Sequence, residues 1–134
     1  MKSNSISEIM TKNVVCVSPQ QKIVDVKHIY EKSNFHHHIP VTKNDKLVGM
    51  VSLIDFMYRI KGAGLDDGNE IYSTLTVKDI MTTHPHYSSP ETSIEEIARV
   101  LSKGDFRAIP IINPEKEVVG IVSTADIIKY YLKQ

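Results

Sequence analysis

An internal repeat is the feature of this sequence that most constrains its fold. A shift of 71 residues places Ile9-Met10-Thr11 on Ile80-Met81-Thr82. The same shift aligns a Ser-Pro pair and a Gly-x-Val-Ser-x-x-Asp motif in the same order, and an Ile-Pro motif aligns after a slip of one residue. A unit of about 60 residues buries so little apolar surface that it is only marginally stable on its own. The repeat therefore predicts two similar units that share a core.

Both copies carry the same pattern of secondary structure. A capping-box spacing, Ser5-x-x-Glu8 or Thr76-x-x-Asp79, predicts a helical turn at the start of each copy. β-rich runs predict strands at residues 14–17, 39–42 and 47–51, and again at 86–88, 108–112 and 118–122. A final helix is predicted to begin near Asp55 or Asp126. Apolar spacing predicts a further helix in each copy, with a face formed by Ile23, Val26, Ile29 and Tyr30 or by Ile94, Ile97, Ala98 and Leu101.

The predicted fold class is therefore α/β (α+β), with two βαββα repeats related by a pseudo-twofold axis and packed sheet to sheet. The first repeat covers residues 5–61, a linker covers 62–75, and the second repeat covers 76–132. Its first part, residues 62–70, is rich in glycine and acidic residues, which predicts an exposed, solvated segment. Its carboxylates lack the alternating spacing and the distal glutamate of a calcium loop.

The charge balance and the hydropathy limit the expected partners. Sixteen Lys and Arg residues match sixteen Asp and Glu residues, so no net field favours nucleic acid or an anionic membrane. The N-terminal residues lack the apolar core of a signal peptide, and no run approaches the ~20 apolar residues of a membrane span. A single cysteine, Cys16, excludes an intrachain disulfide. We therefore expect a cytoplasmic protein with no nucleic acid partner and no membrane partner.

The motif that closes each copy has a structural and a functional interpretation. Ser52-x-x-Asp55 and Ser123-x-x-Asp126 have capping-box spacing, so they can serve simply to start a helix. A helix N-terminus also presents free N–H groups and partial positive charge, which suit a phosphate. A nearby carboxylate can accept both hydroxyls of a ribose, as acidic residues do in other nucleotide folds.

These motifs, taken together, resemble the CBS domain. The resemblance rests on Met-Thr at the start, Ile-Pro-Val or Ile-Pro-Ile in the middle and Gly-x-Val-Ser-x-x-Asp at the end of each copy. CBS domains occur as tandem pairs, called Bateman modules. The resemblance implies regulatory binding of AMP, ADP or ATP, or of S-adenosylmethionine or NAD, in two clefts between the repeats, with no other cofactor required. Because it covers nearly the whole chain, we expect a stand-alone regulatory module rather than part of an enzyme or transporter.

The resemblance also implies which residues line the two clefts. For the first cleft it implies Thr11, Val15, Ser123 and Asp126. For the second it implies Ser52, Asp55, Thr82 and His86. Near the ligand phosphates it implies His37, His38, Arg107 and Ala108. Arg107 is the strongest phosphate partner by its chemistry, because its guanidinium is permanently charged and binds two oxygens at once.

The histidine triplet His36-His37-His38 has three interpretations. In an extended segment successive side chains point to opposite faces, so the three imidazoles cannot all bind one metal ion. A neutral polar lining around a phosphate is the first interpretation, and a pH-dependent anion site is the second, since histidine gains charge between pH 5 and 8. A zinc or nickel site is the third, although no His-x-x-x-His helix or cysteine pair supports it. We expect no metal site.

Three functions follow from these observations. The first is an adenosyl-ligand sensor that acts in trans on an unknown partner protein through a population shift. The second is a ligand-free interaction or dimerisation scaffold, which Met50 and His86 favour as departures from the family pattern. The third is an enzyme, against which the lack of a carboxylate pair, a Cys–His pair or a nucleophile elbow argues. Apolar residues of the final helices predict a homodimer interface, formed by Phe56, Met57, Ile60, Ile127, Ile128, Tyr130, Tyr131 and Leu132.

Overall fold

The computed structural model describes residues 4–32 and 37–134, and its mixture of helices and strands confirms the predicted α/β class. A single 3-10 turn at Ile6–Glu8 precedes the first helix. The helices in these ranges are α1 (Ile23–Tyr30), α2 (Leu53–Ile60), α3 (Ile71–Thr74), α4 (Val77–Ile80), α5 (Ile94–Ser102) and α6 (Thr124–Leu132). The strands are β1 (His38–Lys43), β2 (Lys46–Ser52), β3 (Thr82–Thr83), β4 (Ala108–Ile112) and β5 (Val118–Ser123).

The chain divides into two compact units whose boundaries differ from those of the repeats. We call Val15–Pro85 the middle unit, and Met1–Val14 with His86–Gln134 the terminal unit. In the terminal unit, Thr11 exchanges two backbone hydrogen bonds with Ile121 of β5, at 2.8 and 3.0 Å. In the middle unit, Thr82 of β3 lies opposite Met50 of β2. Each unit thus combines the hairpin of one repeat with the opening segment of the other.

The two hairpins have matching registers. In the middle unit β1 pairs antiparallel with β2, and in the terminal unit β4 pairs antiparallel with β5. His38 lies opposite Ser52, and Ala108 lies opposite Ser123, at the ends where the second strand leads into a helix. The register shifts after Val41 in one hairpin and after Ile111 in the other. The two copies therefore bring equivalent residues to the start of α2 and α6.

The predicted opening strands at residues 14–17 and 86–88 are wrong in length, because each forms only a single parallel bridge. The Val17 N–H donates to the Pro40 carbonyl, and the Val17 carbonyl accepts from the Thr42 N–H. Ser88 makes the equivalent two hydrogen bonds with Pro110 and Ile112. Extending either parallel ladder backwards requires the N–H of Pro40 or of Pro110, which proline lacks. The Ile-Pro motif therefore limits this strand to one residue in each unit.

Apolar helix faces supply the core of each unit, as their spacing predicted. In α1 the buried positions include Ile23, Val26 and Tyr30, and in α5 they are Ile94, Ile97 and Leu101. They pack against strands whose central residues are inaccessible to solvent, including Ile39 in β1 and Ile109 in β4. Both predicted capping boxes are confirmed: Glu8 accepts from the Ser5 N–H at 3.2 Å, and Asp79 accepts from the Thr76 N–H at 2.9 Å.

Each motif glycine lies against the methionine of an opening segment. A Cβ added at Gly49 would be 2.7 Å from Met81 Sδ and 3.0 Å from the Thr82 carbonyl oxygen. A Cβ added at Gly120 would collide with the side chain of Met10, in the same arrangement. The glycine and the Met-Thr pair are therefore two halves of one packing contact, which explains why both occur in each copy.

We expect Gly120→Ala to lower the free energy of unfolding by about 1–3 kcal/mol, as overpacking does in other cores. Because the collision is with the flexible Met10 side chain, Met10→Ala should relieve part of this cost in the double variant. Urea denaturation of the two single variants and the double variant measures the coupling. Strictly additive losses would contradict the packing contact.

The linker, residues 62–75, contacts α1 through its short helix, α3. Most of residues 62–70 are exposed, but Tyr72 is fully buried and donates its hydroxyl to the Gly64 carbonyl at 2.7 Å. Lys27, which is only 3% exposed, reaches out of α1 to bond Asp67 at 2.7 Å and Glu31 at 2.8 Å. His28 Nε2 lies 2.6 Å from the second Asp67 oxygen.

In the contact between α1 and the linker, Lys27 and Asp67 each stabilise the charged form of the other. The hydrogen bond from Lys27, followed by that from His28, lowers the pKa of Asp67 below its usual range. The bonds to Asp67 and then to Glu31 raise the pKa of Lys27 despite its burial. The contribution of Asp67 to stability is therefore fully present above its ordinary pKa of about 3.9, and it is lost as the pH falls through the lower folded value.

We expect Asp67→Asn to lower the urea midpoint at pH 7 and to have progressively less effect as the pH falls below about 3.9, where the unfolded chain gains a proton at Asp67 before the folded chain does. Asp66→Asn is the matched control, because Asp66 bonds the Gly68 N–H rather than Lys27. Denaturation curves at several pH values measure the difference. A gap between wild type and Asp67→Asn that stays constant down to pH 3 would contradict the assignment.

The exposed apolar residues of α2 and α6 differ in part from those predicted. Phe56, Ile60 and Ile127 are buried in the cores, because the apolar faces of both helices point inwards at these positions. The exposed large apolar side chains of the two helices are Ile54, Met57, Tyr58, Ile128, Tyr131 and Leu132. Within the described ranges no helix has the length and apolar character that crossing a bilayer requires.

Candidate ligand sites

The Ser-x-x-Asp motifs lie where a strand turns into a helix. In the terminal unit Ser123 Oγ accepts from the Asp126 N–H at 3.2 Å, and Asp126 Oδ2 accepts from the Ser123 N–H at 2.9 Å. In the middle unit Ser52 Oγ accepts from the Asp55 N–H at 3.1 Å. All four residues are partly exposed. Each motif therefore caps its helix and still presents a carboxylate and a hydroxyl to solvent.

The carboxylate of Asp55 has a different partner from that of Asp126. Asp55 Oδ2 accepts a long hydrogen bond from the Thr82 hydroxyl, at 3.4 Å. This contact brings the threonine of one repeat to the aspartate of the other within a single unit. Thr11 has the equivalent place in the terminal unit, since its backbone pairs with Ile121 as Thr82 pairs with Met50. The middle-unit site thus combines a carboxylate with a hydroxyl group from a separate segment, and the terminal unit pairs Thr11 with the strand that leads into Ser123 and Asp126.

In each hairpin, the residue that precedes the first strand accepts a hydrogen bond from the first residue of a helix. The Leu53 N–H donates to the His37 carbonyl at 2.8 Å, and the Thr124 N–H donates to the Arg107 carbonyl at 3.0 Å. His37 and Arg107 are exposed and lie next to the first turn of α2 and of α6. The structure therefore places a basic or imidazole side chain at the same position in each unit.

Most of the predicted site residues come together, five in each unit. The terminal unit brings together Thr11, Arg107, Ala108, Ser123 and Asp126, and the middle unit brings together His37, His38, Ser52, Asp55 and Thr82. Val15 belongs to the middle unit and is half exposed. His86 belongs to the terminal unit, where its ring stacks on Phe106 with centroids 5.0 Å apart. His36 lies outside the described residues.

Two hydroxyl groups near these sites were not predicted from sequence. Tyr30 Oη donates to the His37 carbonyl at 3.4 Å, and Thr124 Oγ1 donates to the Arg107 carbonyl at the same distance. Burial, and then the charge of Asp55, raise the pKa of Tyr30, so its phenol stays protonated and available as a donor. One indication of the first hydroxyl was present in the sequence: Tyr30 is the aromatic residue at a helix position where the second copy has the aliphatic Leu101.

One further group of side chains has the spacing of metal ligands. Ligand atoms of His28, Glu31 and Asp67 lie within 4.8 Å of one another, and all three residues are exposed. The Lys27 ammonium bonds both carboxylates and so already supplies the positive charge at this place. The group is better explained as an ion-pair contact than as a metal site.

Each unit contains a β-hairpin that ends in a Ser-x-x-Asp motif at the start of a helix. Two such units in one chain define a tandem-repeat module. The model of the CBS domain matches the chain twice, at residues 6–62 and 77–133, so the chain belongs to the CBS domain family and the resemblance seen in its sequence is confirmed. The CBS domain-containing protein MJ0729 of Methanocaldococcus jannaschii is 30% identical over 94% of both chains. The chain spans about half the length (46%) of two uncharacterized proteins of that organism, which it matches at 31% and 23% identity.

Solved structures show the same fold. CBSX2 of Arabidopsis thaliana, solved in complex with AMP, superposes with a TM-score of 0.79 at 24% identity, covering 97% of each chain. The CBS domain pair of MJ0100, solved with 5′-methylthioadenosine and S-adenosylmethionine, superposes with a TM-score of 0.81 at 21% identity, covering 98% of each chain. The tandem CBS pair predicted from sequence is thereby confirmed as the fold of this chain.

Proposed function

We propose that this chain is a regulatory module that binds an adenosyl ligand at the start of α2 and of α6. The observation that carries the proposal is that, in each unit, a capping serine and a partly exposed aspartate start a helix, and a threonine from the other repeat pairs with the strand before that helix. In the middle unit this threonine also bonds the aspartate. An aspartate can accept from both ribose hydroxyls, and the partial positive charge at the start of each helix favours an anionic group. The solved relatives with AMP and with S-adenosylmethionine support the same ligand class.

The two sites differ in the side chain that faces the outer part of the ligand. Arg107 in the terminal unit offers a permanent charge and two parallel hydrogen bonds, which suit the phosphate groups of AMP, ADP or ATP. The middle unit has His37 and His38 instead, whose charge depends on pH.

The proposed regulation is a population shift. A ligand that binds one conformation more tightly than another changes the share of molecules in each, and a partner protein that recognises one of them responds. We propose that this partner is a separate protein, regulated in trans. The ligand that binds determines which metabolite the module detects. The surface exposed in the favoured conformation determines how the partner protein responds.

The second candidate function is a scaffold whose sites hold no ligand. One observation favours it: the carboxylate of Asp126 already accepts from the Ser123 N–H, and that of Asp55 already accepts from the Thr82 hydroxyl. Both aspartates therefore have partners without a ligand. Each carboxylate still has a second oxygen and additional lone pairs, which is why we prefer the ligand-binding function.

A thermal-shift panel distinguishes the two functions. AMP, ADP, ATP, NAD, S-adenosylmethionine, 5′-methylthioadenosine and zinc are tested separately on the purified chain. A ligand at 100 times its Kd adds about 2.7 kcal/mol of stability, which raises the melting temperature by roughly 5–10 °C. A shift with one adenosyl compound that is lost in Asp55→Ala or Asp126→Ala supports sensing. No shift with any of them supports the scaffold, and a shift with zinc alone supports a metal site.

We also propose that the chain forms a homodimer through exposed apolar residues of its helices. Ile54, Met57 and Tyr58 lie at i, i+3 and i+4 of α2, each more than half exposed, so they form one apolar face. Light scattering should give twice the 15.1 kDa of one chain at micromolar concentration. Met57→Asp should reduce that mass to one chain, and a wild-type monomer would contradict the proposal.

A further inference from the structure

A continuous series of contacts, made by three aromatic side chains and two main-chain carbonyls, joins the candidate site of the middle unit to the linker. It begins at the His37 carbonyl, which accepts from the Leu53 N–H at the start of α2 and from the buried Tyr30 hydroxyl. The Tyr30 ring meets the Phe56 ring edge-on, with centroids 5.5 Å apart and an interplanar angle of 66°. Phe56 directly follows Asp55 in α2, so its position depends on the same helical turn as the site.

The series continues from Phe56 into the linker. Phe56 stacks on Tyr72 with centroids 6.3 Å apart and an angle of 21°. The Tyr72 hydroxyl donates to the Gly64 carbonyl, and its ring lies 5.5 Å from the Lys27 ammonium, which bonds Asp67. All three rings have less than a tenth of their surface exposed. Close-packed interiors pass small displacements to their neighbours, because few voids exist to absorb them.

The terminal unit has no equivalent series in the described residues. The shift of 71 residues places Leu101 at the position of Tyr30 and Ile127 at the position of Phe56. Both side chains are aliphatic and buried, so neither can donate to the Arg107 carbonyl. That carbonyl instead receives both of its hydrogen bonds from Thr124 at the start of α6. The two sites are therefore connected differently to the rest of their units.

We propose that the linker reports ligand binding at the middle-unit site, and that Tyr30 is the positioning residue through which it does so. This inference rests on the proposed function. A ligand held by Asp55 and His37 restrains the first turn of α2 and the His37 carbonyl, and the aromatic series extends that restraint to Gly64 and Asp67. Binding at the terminal unit leaves the linker unchanged. By linkage, a weaker linker contact lowers ligand affinity at the middle-unit site by the same factor.

Hydrogen exchange measured by mass spectrometry on the full chain tests the inference. AMP, 5′-methylthioadenosine and S-adenosylmethionine are added separately, and exchange is followed in peptides from residues 49–56 and 64–75. We expect a bound ligand to slow exchange about five-fold or more in both regions, in keeping with typical coupling between two sites. Tyr30→Phe keeps the buried ring and removes the hydroxyl. It should retain protection at 49–56 and lose the ligand response at 64–75, whereas Asp126→Ala should keep both.

The outcomes separate the inference from the function on which it rests. Protection at residues 49–56 with no change at 64–75 in the wild type would overturn the reporting linker and leave ligand binding intact. An unaltered linker response in Tyr30→Phe would overturn the role of the tyrosine. No protection in either region with any of the three ligands would overturn the middle-unit site itself, and the reporting linker with it.

The reciprocal effect gives an independent test by calorimetry. Asp67→Asn is combined with Asp126→Ala, so that only the middle-unit site remains to be titrated with the ligand found above. We expect the Kd to rise about five-fold relative to Asp126→Ala alone. Asp66→Asn in the same background is the matched control and should leave the Kd unchanged, because Asp66 does not contact Lys27. Equal affinity in the Asp67 and Asp66 variants would overturn the coupling.

Discussion

Asp126→Ala is expected to weaken binding of the adenosyl ligand at the terminal unit about 100-fold. Asp126 is the partly exposed carboxylate of this site, and the proposed function assigns it both ribose hydroxyls. A hydrogen bond to a charged group is worth about 1.5–3 kcal/mol, so the loss of two amounts to roughly 3 kcal/mol or more, and each 1.4 kcal/mol is a factor of ten in Kd. Isothermal titration calorimetry measures the change directly.

The control for this variant must separate ligand binding from helix capping. Asp126 also accepts from the Ser123 N–H, so its removal weakens the start of α6. Asp79 performs the same capping at Thr76 but belongs to neither candidate site, so Asp79→Ala should lower the melting temperature and leave the affinity unchanged. Asp126→Asn keeps an acceptor oxygen for the cap and removes the charge. If Asp126→Ala bound the ligand as tightly as Asp79→Ala, the assignment of the ribose contact would be wrong.

Ile109→Ala is expected to be the most destabilising single change considered for the terminal unit. Ile109 is the second residue of β4, has none of its surface exposed, and belongs to the same apolar cluster as the buried residues of α5 and α6. Its truncation removes buried surface and leaves a cavity, at a cost of about 2–5 kcal/mol. In a domain of this size that lowers the melting temperature by roughly 10 °C.

Calorimetric melting of three variants tests this expectation. Ile39→Ala makes the equivalent change in the middle unit, where the side chain is 1% exposed, and should cost a similar amount. Val15→Ala removes methyl groups from a residue that is 50% exposed, so its effect should stay within about 0.5 kcal/mol. A loss below 1 kcal/mol for Ile109→Ala would show that β4 is not part of a packed core.

Local patterns were sufficient to predict most of the elements of this fold. Apolar spacing placed α1 and α5, and the capping boxes at Ser5 and Thr76 form as their spacing predicted. The motif residues at Ser52, Asp55, Ser123 and Asp126 lie at helix starts for the same reason. These features depend on residues close together in the chain, so the sequence alone carries the necessary information.

Long-range contacts account for what the sequence did not predict. Lys27 is buried because Asp67, 40 residues away, pairs with it, and nothing in the helical pattern around Lys27 indicates that partner. Tyr30 was assigned to the core, correctly, but its hydroxyl reaches a carbonyl on a segment whose path depends on the hairpin. Local patterns equally do not show that each opening segment pairs with the hairpin of the other repeat. Only the family resemblance implied this, by grouping Thr11 with Asp126 and Thr82 with Asp55.

That exchange of opening segments has a consequence for the order in which the chain folds. All segments of the middle unit are contiguous, so it can be completed as soon as residues 15–85 have left the ribosome. The terminal unit includes residues that are synthesised before the middle unit, and Thr11 cannot pair with Ile121 until β5 has been synthesised. Closing so large a loop raises the entropic barrier and slows the step. During synthesis, therefore, the segment that precedes the middle unit reaches its final place only after that unit is complete, and it depends on a chaperone or on solubility of its own until then.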